Sequence, residues 1–135
     1  MFGRKRKQAM AVVHDYVDAL NARDADRMKH LLHPECRFVD SHGFCLDGYE
    51  DSAAAVDAFL DLDDQFKVHL ASMTMRGSSI LMRGHTEARD ERLARDTLWT
   101  AKVKDGKLLF WQSFGDVDAP AIAHLIAPEK ARHVG

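Results

Sequence analysis

The hydrophobic pattern of this chain changes period once, near Phe66, and no other feature constrains its fold as strongly. Before that point apolar residues recur at three- and four-residue steps; after it they alternate. A chain that is helix-forming first and strand-forming second is α+β, with helices packed on one face of a sheet. The spacing predicts a first helix over residues 8–22, with Met10, Val13, Val17 and Leu20 inward and Tyr16 beside them. His14, Asp15, Asp18 and Asn21 fall on its wet side. Asp24 suits the N-cap of a short second helix burying Met28, Leu31 and Leu32, closed by Pro34. A strand over residues 36–42, a tight turn at Gly43 and a short return strand over 44–46 come next. A third helix is predicted over residues 49–63, with Glu50 and Asp51 in its first turn and Val56, Phe59 and Leu60 on its inner face. Strands are then expected at about 66–76, 78–89, 92–104 and 107–117, joined by turns at Gly77 and Ser78 and at Asp105 and Gly106. A last short helix over residues 119–126 ends before Pro128.

The 135 residues fit one domain with a core of its own. Residues 8–128 are assigned to it, residues 1–7 to a basic N-terminal tail expected to be disordered, and residues 129–135 to a C-terminal tail. A formal charge of −2 gives no general attraction to nucleic acid or to an anionic membrane. The basic run at residues 4–7 is either an address or nucleic-acid contact or, as expected, a solvated, frayed terminus, and no apolar stretch is long enough to span a bilayer. Two cysteines, Cys36 and Cys45, do not make a disulfide framework, and with no export signal the expected compartment is the cytoplasm.

Residues 11–24, AVVHDYVDALNARD, and residues 37–43, RFVDSHG, resemble the N-terminal part of bacterial ketosteroid isomerases. Those enzymes belong to the nuclear transport factor two-like superfamily, with SnoaL-like polyketide cyclases, scytalone dehydratases and limonene epoxide hydrolases. The likeness is residue-level to about Gly48 and pattern-level beyond, through Asp105, Gly106 and Lys107 to Phe114 and Gly115. It implies a cystatin-like cone, three N-terminal helices packed on a strongly curved, mostly antiparallel sheet, and a homodimer formed through the outer sheet face. It also implies two roles: Tyr16 matches the tyrosine that donates to the substrate's enolate oxygen, and Asp40 the aspartate that shuttles the proton. The strand parity agrees, because Asp40 shares a face with Phe38 and Cys36. Where the isomerases set a carboxylic acid kept neutral by an apolar site, this chain has Trp99, a weaker donor.

A carboxylate turned into an apolar cone is a candidate general base. The competing reading of Asp40 is a strand-end residue capping the Gly43 turn. Tyr16 is either an oxyanion donor or a core ring. His42 shares parity with Asp40 and is either its partner or the rim of the turn. Trp99, Phe110, Gln112 and Phe114 are expected to line the cone with Phe59, and Asp116 lies at the strand end. Leu98 and Trp111 are expected to face outward, consistent with a covered outer sheet. The chemistry these residues suit is proton transfer on a small apolar carbonyl compound, whether isomerisation, elimination or cyclisation. The alternative is a non-catalytic ligand-binding or dimerisation module. A weaker third reading pairs Asp40 with His69 or His85 for hydration or hydrolysis. His30, His33, Cys36 and Cys45 do not match zinc-ligand spacing, so no metal is expected. No phosphate loop or nucleophile elbow is present, and no cofactor is implied.

Overall fold

The computed structural model describes residues 2–115 and 118–134, so Asp116 lies outside the described residues. Helix α1 (Phe2–Asn21) is followed by α2 (Ala25–His30), β1 (Leu32–Val39), β2 (Phe44–Asp47) and α3 (Tyr49–Leu62). Strands β3 (Lys67–Arg76), β4 (Ser79–Glu87), β5 (Asp96–Lys104) and β6 (Lys107–Phe114) form the meander, and α4 (Ile122–Ile126) and β7 (Arg132–His133) complete the chain. The α+β order follows the periodicity. Three boundaries depart from it. Helix α1 begins at Phe2, so residues 4–7 extend the helix instead of fraying, and Arg6 donates to the Met75 carbonyl at 3.2 Å. Pro34 lies inside β1, where a register shift between Leu32 and Arg37 accommodates its missing N–H. The C-terminal segment returns as β7 to pair with β2.

All strands join one seven-stranded sheet in the order β3-β4-β5-β6-β1-β2-β7. Its pairings are antiparallel except that of β1 with β6. Asp105 and Gly106 both take positive φ, the geometry of a two-residue hairpin turn. Two bulges bend the meander. Ala71 is the extra residue where the β3–β4 register shifts between Leu70 and Ser72, and Leu109 is extra where β5–β6 shifts between Lys102 and Val103. Gly84 sits opposite the first bulge, where a β-carbon would lie 2.0 Å from the His69 carbonyl oxygen. Only glycine allows the strands that approach.

The concave face of this sheet takes the apolar side of α1. Ala9, Val13, Tyr16, Val17 and Leu20 are buried there at helical spacing, against Ile80, Met82, Trp99, Ala101 and Trp111 of the sheet. Asn21, expected to be solvated, instead exchanges two hydrogen bonds with the Val68 backbone, 2.9 and 2.8 Å, fixing the end of α1 to β3. Helix α3 packs on β1 and β2 through Ala55, Val56 and Leu60. Between the helices and the sheet a hollow remains.

Candidate functional site

The hollow is a cavity of about 140 Å³. Its inner wall is aromatic. Tyr16 stands 6.1 Å from Phe38 and 5.9 Å from Trp111, and Trp111 stands 6.2 Å from Trp99, between ring centres. Helix α3 contributes Ser52, Ala55, Val56 and Phe59, and the outer end carries Asp40, Ser41, Arg95, Thr97, Ser113 and Pro120. An apolar body with a few convergent polar groups is the usual make-up of a small-molecule site.

Tyr16 is 5 % exposed and lines this cavity, and its hydroxyl has no hydrogen-bond partner among the described residues. Burial, reinforced by the nearby Cys36, pushes its phenol well above the ordinary range. The group therefore stays protonated and keeps one O–H to donate.

Asp40 is also buried and on the cavity wall, but its carboxylate is engaged. Its Oδ1 accepts from the His42 and Phe44 backbone N–H groups at 2.8 and 3.0 Å, and its Oδ2 from the Ala123 N–H at 2.9 Å. Three of roughly four lone-pair sites are thus filled. Asp40 caps the Gly43 turn and also ties it to the first turn of α4, so the capping role is present in full. Oδ2 takes only the Ala123 bond among the described residues. Gly115 helps close this end: a β-carbon there would lie 2.7 Å from that of Ala119.

Several expected positions move. Trp99 and Phe59 line the cavity as expected, but Phe110, Gln112 and Phe114 do not. Phe114 is 44 % exposed on the outer face. The cause is the Leu109 bulge: an unbroken hairpin would set Trp99 opposite Gln112, whereas the observed partner of Trp99 is Ser113. One extra residue turns the even positions of β6 beyond the bulge outward and brings Trp111 and Ser113 in. Trp111, expected outside, is therefore part of the wall, and Leu98 does face out at 52 % exposure. His42 is turned away from the cavity: its Nε2 meets the Ala119 carbonyl, and its own carbonyl accepts from His133 Nε2 at 2.7 Å. His69 bonds Glu87 at 2.9 Å and stacks on His85, 4.8 Å between ring centres, on the convex side. Neither histidine reaches Asp40, which removes the Asp–His hydration reading. His33 Nδ1 accepts from the Glu35 N–H at 3.0 Å while its Nε2 faces Asp105. Among the described residues no three side chains are grouped to hold a metal, and Cys36 and Cys45 are free thiols.

Residue patterning gave no signal for Ser52, Arg95 or Thr97. Arg95 follows a short 3-10 turn (Glu91–Leu93) and reaches the cavity end, where its Nη1 approaches the Asp118 carbonyl at 3.5 Å. Its backbone exchanges bonds with Thr86, which fixes that loop to the sheet.

Residues 13–111 match the family model of the SnoaL-like domain. No curated protein matches the sequence. Among solved structures, the chain is similar to an M. tuberculosis epoxide hydrolase of the limonene epoxide hydrolase-like type: 16 % identity, 93 % of this chain and 99 % of that one, TM-score 0.72. It is similar also to a candidate polyketide cyclase of Sinorhizobium meliloti, at 18 % identity over 76 % and 93 % of the two chains, TM-score 0.69. A third is a Catenulispora acidiphila protein with a ketosteroid isomerase-like fold, at 10 % identity over 80 % and 87 %, TM-score 0.66. At these identities the likeness is one of fold.

Proposed function

Because the chain belongs to the SnoaL-like domain family, we propose that its cone takes up one small, mostly apolar carbonyl compound and that Tyr16 donates a hydrogen bond to the ligand's oxygen. The observation that carries this reading is a protonated phenol, on a buried ring and without a partner among the described residues, on the wall of a mostly apolar cavity. A hydroxyl that opens onto the cavity with no protein acceptor can donate to a ligand oxygen there. Trp99, Trp111, Phe38 and Phe59 would hold the apolar body.

A second reading adds proton transfer, as in an isomerisation, elimination or cyclisation. It is favoured by Asp40 lining the same cavity as Tyr16 with one lone pair of Oδ2 unfilled. Exchange of the α-hydrogens of cyclohex-2-enone with deuterated water, followed by NMR, separates the two. With Asp40 as base, exchange is catalysed and Asp40→Asn lowers it about 10²–10⁴-fold at a temperature where both proteins are folded. Equal exchange in the two proteins leaves Asp40 as the clamp of the turn and the cone as a binding site.

The convex face suits self-association. Leu81, Leu98 and Phe114 are exposed there at 37, 52 and 44 %. A homodimer through this face would cover them. No helix among the described residues is long and apolar enough to cross a membrane.

A further inference from the structure

The cavity is divided by polarity. Its inner wall is the cluster of Tyr16, Phe38, Trp99 and Trp111, while Ser41, Arg95, Thr97 and Ser113 sit at the outer end with Asp40. Arg95 is the cation among the described residues that line it.

Two observations place its side chain on the concave side. Arg95 shares parity with Thr97 and Trp99, which line the cavity. It also continues the β4–β5 pairing past His85 and Asp96: the Thr86 N–H donates to the Arg95 carbonyl at 2.8 Å, and the Arg95 N–H donates to Thr86 Oγ1 at 3.0 Å. Thr86 is buried on the cavity wall, so the residue that meets it across the strands points the same way. The guanidinium then reaches the Asp118 carbonyl through Nη1 at 3.5 Å, just before Ala119 and Pro120 of the wall. The cation therefore lies across the outer end, between β5 and the segment leading into α4.

An arginine stays charged and presents several N–H donors in a planar fork. It can keep its protein neighbours and still take both oxygens of a carboxylate. The hydroxyls of Ser41, Thr97 and Ser113 bring further donors to the same end. Gly115 keeps side-chain atoms out of the space beside them: a β-carbon there would lie 3.1 Å from Ser41 Oγ. Asp40 opposes an acid here, but the His42, Phe44 and Ala123 N–H groups already offset its charge.

We infer that Arg95 is the anion anchor of this cavity and that the ligand is an apolar carboxylic acid, its carboxylate at Arg95 and its body along the aromatic wall. This rests on the cone being a ligand site, as proposed above, and it adds the ligand's charge and the way it lies. A neutral ligand of the same shape forgoes the charge-assisted pair, so the site selects acid over amide.

The test compares benzoate with benzamide, which has the same ring and no charge, by titration calorimetry on the full chain at neutral pH. Wild type should bind benzoate about tenfold more tightly, and added salt should weaken the benzoate complex alone. Arg95→Gln should abolish the preference and its salt dependence, and Arg95→Lys, which keeps the charge but not the fork, should retain part of it. Equal binding of the two probes by wild type, or a preference that survives Arg95→Gln, overturns the inference. So does an Arg95→Gln variant that weakens both probes alike, because that marks Arg95 as a structural tie between β5 and Asp118. Should Arg95→Gln fail to fold, Arg95→Lys carries the test, and a preference equal to that of wild type overturns the inference. Cyclohex-2-enone keeps the two proposals apart. If it binds in the cavity while benzoate shows no preference, the ligand site stands and the anion anchor falls. If acid, amide and enone all fail to bind, both fall together.

Discussion

Replacing Asp40 with asparagine isolates the structural work of its carboxylate. Both oxygens accept backbone N–H bonds, from His42 and Phe44 on one side and Ala123 on the other. An amide has one acceptor. If it keeps the turn, its NH₂ group is driven against the Ala123 N–H, which is buried and has no other partner to take. If it keeps Ala123, two turn bonds fail. The cheaper placement loses one charge-assisted bond, about 1.5–3 kcal/mol. The two that remain become neutral bonds of roughly half the strength. A loss of about 2–4 kcal/mol follows, which at this chain length lowers Tm by roughly 10 °C. Urea and thermal unfolding, followed by near-ultraviolet circular dichroism of Trp99 and Trp111, measure it. Hydrogen exchange should meanwhile accelerate at the His42, Phe44 and Ala123 amides before the rest of the sheet. Stability within about 0.5 kcal/mol of wild type would refute the clamp and return Asp40 to a free carboxylate.

Gly84→Ala should destabilise by about 3 kcal/mol, read by urea unfolding, since its new carbon would lie 2.0 Å from the His69 carbonyl oxygen. Leu98→Asp should convert a dimer to a monomer in sedimentation equilibrium without lowering monomer stability, because Leu98 is exposed on the convex face. Acid should weaken the fold through Asp63: burial works to raise its pKa, but the Arg89, Asp90 and Gln65 N–H groups and the Arg89 charge outweigh it and hold the carboxyl below the usual range. A folded value below the unfolded one means a contribution present above about pH 4 and lost as pH falls through the folded value. Asp63→Asn should flatten the acid limb of a Tm-against-pH profile, and an unchanged limb would count against this account.

The fold was legible because helical and strand periods read directly as which face is buried. Val13, Tyr16, Val17 and Leu20 required only that reading. The two hairpin turns were equally plain in glycine chemistry. The cavity lining was less so, because parity along β6 depends on whether one residue is extra. Leu109 carries no mark of the bulge it forms, so parity alone turns Phe110, Gln112 and Phe114 inward and Trp111 outward. Asp40 showed the opposite difficulty. Its burial followed from parity, but two of its three hydrogen bonds are turn bonds and the third comes from Ala123, 83 residues away. No local pattern encodes that contact. Ser52 and Arg95 belong to the cavity through tertiary packing alone.

The central claim is that the space between α1, α3 and the concave sheet is a ligand site with the Tyr16 hydroxyl inside it. Titrating cyclohex-2-enone into nitrogen-15-labelled protein and following the indole N–H signals of Trp99 and Trp111 tests it most directly. Both signals should shift together along one saturating curve, with Tyr16→Phe weakening the binding about 3–10-fold. Shifts confined to Leu98, Phe114 and their convex-face neighbours, or an affinity unaltered in Tyr16→Phe, would contradict it.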